Sequence, residues 1–200
     1  MTPELLIPLL TFAFVTVATP GPNNLMLLAS GANFGFRRSL PHMLGVGLGF
    51  PAMVVLVGLG VMQIFDLWPP SYLLLKGLSV LYMLYLAWKI ANAAPPRDAQ
   101  AEGRPFTFLQ ATAFQWVNPK AWSMGLSAIT LYATSRDLGA VLWVAGAYVA
   151  CGVISTSTWV LLGQQVRRLL SRPARLRWFN RIMALLLVAS LLPVLLPGGG

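Results

Sequence analysis

Two short stretches hold the residues whose types and spacing could do chemistry. "TPGPNN" sets Pro20, Gly21, Pro22, Asn23 and Asn24 side by side inside an apolar run, and "VNPKAW" sets Asn118, Pro119 and Lys120 inside another. Proline removes a backbone donor and clashes with the preceding turn, so each stretch breaks a helix and frees carbonyls that hydrocarbon cannot satisfy. Pro in the first helical position, with Gly or Asn before it, also starts a helix, so Gly21-Pro22 and Asn118-Pro119 each predict a second half-helix. A helix N-terminus carries about half a positive charge together with unpaired N–H groups, a setting that suits a carboxylate. Lys120 adds a full positive charge, and Asn23 and Asn24 read equally as interhelical hydrogen-bonding glue and as substrate contacts that offer a hydrogen bond to an amine. An ion at mid-membrane costs at least about 2.5 to 3.5 kcal/mol on insertion scales, so something local must offset Lys120.

The elements around these stretches are those of a membrane protein. Of the 200 residues, 57% are hydrophobic and 10% charged, and the mean hydropathy is +0.71. The carboxylates Glu4, Asp66, Asp98, Glu102 and Asp137 all fall near a terminus or in a predicted loop. The net charge of +9 does not point to nucleic acid, because the basic residues sit at segment ends and not on a soluble face with readers between them. One cysteine, Cys151, and one histidine, His42, allow neither a disulfide within the chain nor a His/Cys metal cluster, and no metal or cofactor is expected. The start, Met-Thr-Pro-Glu, lacks the basic region of a secretory signal, so the first segment is expected to remain.

About 20 predominantly apolar residues span a bilayer, and such runs fall at 5–35, 39–64, 71–91, 108–133, 138–163 and 179–196. The predicted fold is an all-α integral membrane protein of six transmembrane helices. A Pro- and charge-rich linker at 93–107 divides a single transmembrane domain, 1–200, into three-helix halves at 1–92 and 108–200. An odd number of spans forces the halves into opposite orientations, so they read as two inverted three-helix repeats with helices 1 and 4 broken near the midplane. A shift of 97 residues lays Pro119 on Pro22 and Gly146 on Gly49. The first, third and fifth connections carry Arg37, Arg38, Lys89, Arg97, Arg104, Arg167, Arg168, Arg172, Arg175, Arg177 and Arg181, against Lys76 and Arg136 on the other side. By the positive-inside rule those connections are cytoplasmic and both termini face out.

The remaining polar and small residues have plainer readings. His42 is expected to be a satisfied interfacial side chain and stays out of the site. Gly31/Gly35 and Gly45/Gly49 have small-xxx-small spacing, with packing inside one bundle the default and a homodimer the alternative. Trp68, Trp88 and Trp178 suit interfacial belts, and Trp116 and Trp122 either wall a pocket or pack in the core. Two functional readings can be weighed on the residues alone. An intramembrane enzyme would need a Ser–Lys pair, because no acidic or histidine partner for a nucleophile is evident in the spans. A passive channel or structural subunit would show gradient-independent flux or none.

"TPGPNNLMLLASGANFGFRRSLPHMLGVGLGF" resembles the N-terminal signature of the LysE/RhtB amino-acid exporter family, and "FQWVNPKAW" resembles its fourth-span motif. The resemblance covers the chain in length, span number and motif order. "MTP…TPGPNN", "GFRRS" and "LAWKIA" look most like the cysteine/O-acetylserine exporter branch. It implies export of amino acids or close derivatives across a bacterial inner membrane, energised by a proton or other ion gradient and without nucleotide hydrolysis. The family's Pro-Gly-Pro falls on Pro20, Gly21 and Pro22, its polar pair on Asn23 and Asn24, and its Asn-Pro-Lys on Asn118, Pro119 and Lys120. Many members carry Asp in the polar pair, whereas this chain has Asn. No mid-membrane carboxylate is therefore available as proton carrier, and Lys120 is the residue left for that role.

Overall fold

A computed structural model describes residues 3–61, 63, 67–68, 70–93, 104–133, 137–170 and 172–192. Most of the linker expected at 93–107, together with Asp66, Arg97, Asp98, Glu102 and Arg136, lies outside these residues. The described residues form seven α-helices and no strand: α1 Pro3–Ala18, α2 Pro22–Leu56, α3 Pro70–Ala91, α4 Phe108–Val117, α5 Pro119–Tyr132, α6 Leu138–Leu169 and α7 Pro173–Ala189. A π-helical segment, Val57–Val61, continues α2. Pro22–Val61, Leu73–Ala91 and Leu138–Leu169 are long and apolar enough to cross a membrane, and Leu5–Ala18 is a shorter apolar helix. Leucines such as Leu73, Leu81, Leu109 and Leu185 point outward. That arrangement suits lipid as the surrounding solvent, since water would favour burying them.

Helix α2 is bent double. Gly35 has φ 76° and ψ 175°, a left-handed conformation that costs a glycine little. The Ser30 and Ser39 hydroxyls lie 2.9 Å apart, although nine residues of straight helix would separate them by about 13 Å. The chain therefore reverses at Gly35, and arms 22–34 and 36–56 run antiparallel, in agreement with separate runs at 5–35 and 39–64. Helix α7 begins at Pro173, six residues ahead of the expected 179, because proline fixes the first turn inside the basic stretch.

The arms pack through glycine. A Cβ at Gly31 would overlap the Val160 carbonyl of α6, and one at Gly163 would overlap the Leu28 carbonyl, so the two helices cross with their backbones in contact. On the other arm, a Cβ at Gly45 would stand 2.5 Å from the Phe108 oxygen, and one at Gly49 would stand 2.8 Å from the Thr112 Cα. The Thr112 hydroxyl donates to the Gly45 carbonyl at 3.2 Å. Gly31, Gly45 and Gly49 thus serve packing within the chain, and Gly35 serves the reversal. Gly146 meets nothing within 4 Å, so its match to Gly49 under the 97-residue shift is not a match of role. One apolar cluster gathers Leu9, Phe50, Met53, Val144 and Tyr148, and a second gathers Met26, Met83, Phe106, Phe114 and Leu187.

Candidate functional site

Both breaks form where the prolines place them. Helix α1 stops at Ala18, and Pro22 occupies the first turn of α2. The Asn24 amide gathers the carbonyls this break frees, donating to Thr19 O at 2.8 Å and Val17 O at 2.9 Å. The Ser155 hydroxyl on α6 adds a second bond to Val17 O at 2.9 Å. Asn24 is thereby a backbone clasp whose N–H groups are spent, while its side-chain oxygen accepts no bond among the described residues. The N-cap position of α2 is Gly21, which has no side chain to accept, so the first amides of α2 lack a side-chain cap.

The second break is built differently. Thr107 and Gln110 form a capping box that starts α4. After Val117, the Asn118 side chain accepts from the Lys120 N–H at 3.1 Å and caps α5. The expectation that both half-helix N-termini receive an anion therefore meets a difference: α5 is closed by its own asparagine, and α2 is the end without a side-chain cap.

Lys120 bridges the two breaks. Its ammonium donates to Thr19 O at 2.5 Å, where the C-terminal end of the α1 dipole favours a cation. Its stem passes over Gly21, where a Cβ would stand 2.8 Å from Lys120 Cδ and 3.1 Å from Nζ. Gly21 is extended at φ −175°, a conformation any residue adopts, so glycine supplies room for the lysine there. The local offset for the Lys120 charge is thus a helix-end carbonyl. The ammonium bonds no serine hydroxyl among the described residues.

Gly21, Asn23, Asn24, Asn118 and Lys120 share one narrow cavity of about 40 Å³. Pro20, Pro22 and Pro119 are not among the residues that line it; they set the backbone behind it. Tyr148, Ser155 and Thr156 of α6 and Phe50 and Gly47 of α2 complete the walls. At about 10 to 15 Å³ per water, the cavity holds only a few water molecules, and a larger guest requires the walls to part. Asn23 is joined to Gln115 by a reciprocal amide pair, at 2.9 Å from Asn23 Nδ2 and 3.2 Å from Gln115 Nε2. Gln115, fully buried, ties the two halves of the chain together and escaped the sequence reading. A polar side chain in the apolar run "FQWV", three residues before Asn118, was its signal. Tyr148, Ser155 and Thr156 also escaped it, although "VISTST" is a polar interruption of the same kind.

Three further residues fall outside the cavity. Trp116 and Trp122 meet edge to face at 5.9 Å, and the Trp122 indole donates to the Trp116 carbonyl at 2.8 Å, so they satisfy the break and wall a separate apolar pocket with Leu74, Leu75 and Leu78. His42 corrects an expectation. It is fully buried and neither ring nitrogen has a hydrogen-bond partner among the described residues, whereas an interfacial, satisfied ring was expected. The fold-back at Gly35 carries it inside, edge-on to Phe106 at 5.0 Å.

With this geometry in place, known proteins provide a comparison. The family model described as LysE type translocator matches residues 14–192. Proteins named cysteine/O-acetylserine efflux protein, from Escherichia coli K12 and from Shigella sonnei, are each 34% identical over 194 residues, covering 94% of this chain and 96% of the relative. The same values hold for the protein of that name from Escherichia coli O9:H4. No solved structure matches the chain. The matched model spans both breaks, the reversal at Gly35 and the central helix α6, and the chain belongs to the LysE-type translocator family.

Proposed function

We propose that the chain is a secondary active transporter that exports small neutral amino acids, with cysteine and O-acetylserine the best match, from the cytoplasm across the bacterial inner membrane under an ion gradient. The observation that carries this reading is the meeting of the two breaks at one cavity, with the Lys120 ammonium held on the Thr19 carbonyl above Gly21. The relatives' names supply the substrate class. In this reading six crossings are made by α1 with arm 22–34, arm 36–56, α3, α4 with α5, α6, and α7. They form two inverted three-helix repeats, with the loops rich in arginine in the cytoplasm and both termini outside.

The substrate carboxylate displaces the Thr19 carbonyl from Lys120 and takes the first amides of α2, while the ammonium is received by the Asn24 side-chain oxygen and the α6 hydroxyls. A small side chain then lies against Phe50 and Gly47. The narrowness of the cavity favours small substrates, and passage requires the halves to move apart first on one face and then on the other. Efflux of preloaded labelled L-cysteine from cells tests the reading. Export should be lost on Lys120→Ala and on collapse of the proton-motive force. Full export by a well-expressed Lys120→Ala chain sinks the site, and export that survives collapse sinks the coupling.

A further inference from the structure

A second cavity, about 180 Å³ against about 40 Å³ for the first, opens where arm 22–34 of α2 meets the end of α3 and the segment leading into α4. Its polar lining comes from Ser30, Asn33, Lys89, Asn92 and Arg104, and its apolar wall includes Trp88. Lys89 is the lining cation whose ammonium is fixed by the contacts at hand. Its ammonium donates to Gln110 Oε1 at 2.9 Å and to the Pro105 carbonyl at 3.4 Å, and it stands 4.6 Å from the centre of the Phe106 ring. All three partners are neutral, so the positive charge is held in place without being cancelled, and an anion entering the cavity keeps its full attraction to it. Nearby, the Asn92 amide donates to the Trp88 carbonyl at 2.8 Å, and its side-chain oxygen accepts no bond among the described residues. A fixed cation and an open amide oxygen on one cavity complement the two charged ends of an α-amino acid.

The cavity also has a relation to the first one. Both are lined by arm 22–34, the inner by Asn23 and Asn24 and the outer by Ser30 and Asn33, so they lie about 10 to 15 Å apart along one helix. Met26, which falls between these positions on the arm, belongs with Met83 and Phe114 to one apolar cluster, all three fully buried, and this cluster is read as the septum between the cavities. We propose that the Lys89 cavity is a capture site for the carboxylate and ammonium of an α-amino acid, loaded before the septum opens to the Lys120 cavity. This rests on the transport reading and its orientation, and adds a second binding site on the cytoplasmic side. A site on the supply side, separate from the central one, sets affinity for the incoming substrate while leaving the central step to Lys120.

The test is a split of kinetic constants in proteoliposomes containing the full chain, with labelled L-cysteine offered, under reducing conditions, at the face bearing Lys89 and Arg104. Lys89→Gln should raise KM about tenfold with Vmax within twofold, and Lys89→Arg should restore most of the affinity. Asn92→Ala, at an exposed position that leaves the Lys89 hydrogen bonds in place, should raise KM severalfold with an unchanged melting temperature. Cysteamine, which lacks the carboxylate, should compete poorly with wild type, and its disadvantage should shrink in Lys89→Gln. Unchanged KM in both Lys89→Gln and Asn92→Ala overturns the capture site while leaving transport intact. A fall in Vmax or in melting temperature with Lys89→Gln, together with no effect of Asn92→Ala, assigns Lys89 to holding α3 against α4 and also overturns it. A wild-type chain that moves no amino acid overturns the transport reading itself, and the capture site with it.

Discussion

Gly21→Ala separates the position of the Lys120 charge from the integrity of the fold. The extended backbone at φ −175° accepts alanine without strain. Restricting the unfolded chain stabilises by about 0.4 to 1 kcal/mol at positions that tolerate the change. The added Cβ would sit 2.8 Å from Lys120 Cδ and 3.1 Å from Nζ. A flexible stem moves aside more readily than backbone, so the ammonium leaves the Thr19 carbonyl while the helices stay in place. In the proposed site the same ammonium holds the substrate carboxylate; a hydrogen bond made by a charged group is worth about 1.5 to 3 kcal/mol, and each 1.4 kcal/mol is about a factor of ten. Export of labelled L-cysteine should fall about 10- to 100-fold, while the melting temperature in detergent stays at or slightly above that of wild type. Because both changes act through one contact, Gly21→Ala added to Lys120→Ala should cost no further export. Wild-type export by a folded Gly21→Ala chain would refute the argument that the placement of Lys120 matters.

Three further outcomes follow from the packing. Gly31→Ala drives a Cβ into the Val160 carbonyl and should destabilise the chain by about 1 to 3 kcal/mol or more in a detergent melt, whereas Gly77→Ala, inside α3 and meeting nothing within 4 Å, should stabilise by up to about 1 kcal/mol. Asn23→Ala removes the donor to the fully buried Gln115 oxygen and should cost about 1 to 3 kcal/mol; a double-mutant cycle with Gln115→Leu, scored by melting, should recover part of that cost. His42→Leu replaces a buried imidazole whose nitrogens are unpartnered among the described residues, and should raise stability by about 1 to 3 kcal/mol. A lower melting temperature for His42→Leu would mean that the ring is satisfied in the folded protein.

What the chain announces about itself is local. Prolines at 20, 22 and 119 mark both breaks because the missing donor and fixed φ act on their own turn, and the half-helices start at Pro22 and Pro119 as that chemistry requires. Apolar runs locate the helices, and Gly45 and Gly49 signal close approach. The partners are another matter. Asn23 meets Gln115 across 92 residues of sequence and Lys120 meets Thr19 across 101, and no periodicity within either segment encodes such pairings. The same gap hid the part Asn24, a substrate contact by type, plays in holding the end of α1. His42 was misplaced because its distance from a charged segment was read along the chain, whereas the reversal at Gly35 decides its depth.

The bare-backbone crossing of α2 and α6 at Gly31 and Gly163 has a mechanical consequence. With no side chains interposed, the crossing is a fulcrum, and arm 22–34 is a lever laid across it. Asn23 lies about 10 Å to one side and Phe34 about 7 Å to the other. A rigid tilt of about 10° would displace the two ends in opposite senses by about 1 to 2 Å, and a methyl group wedged at either glycine would jam it.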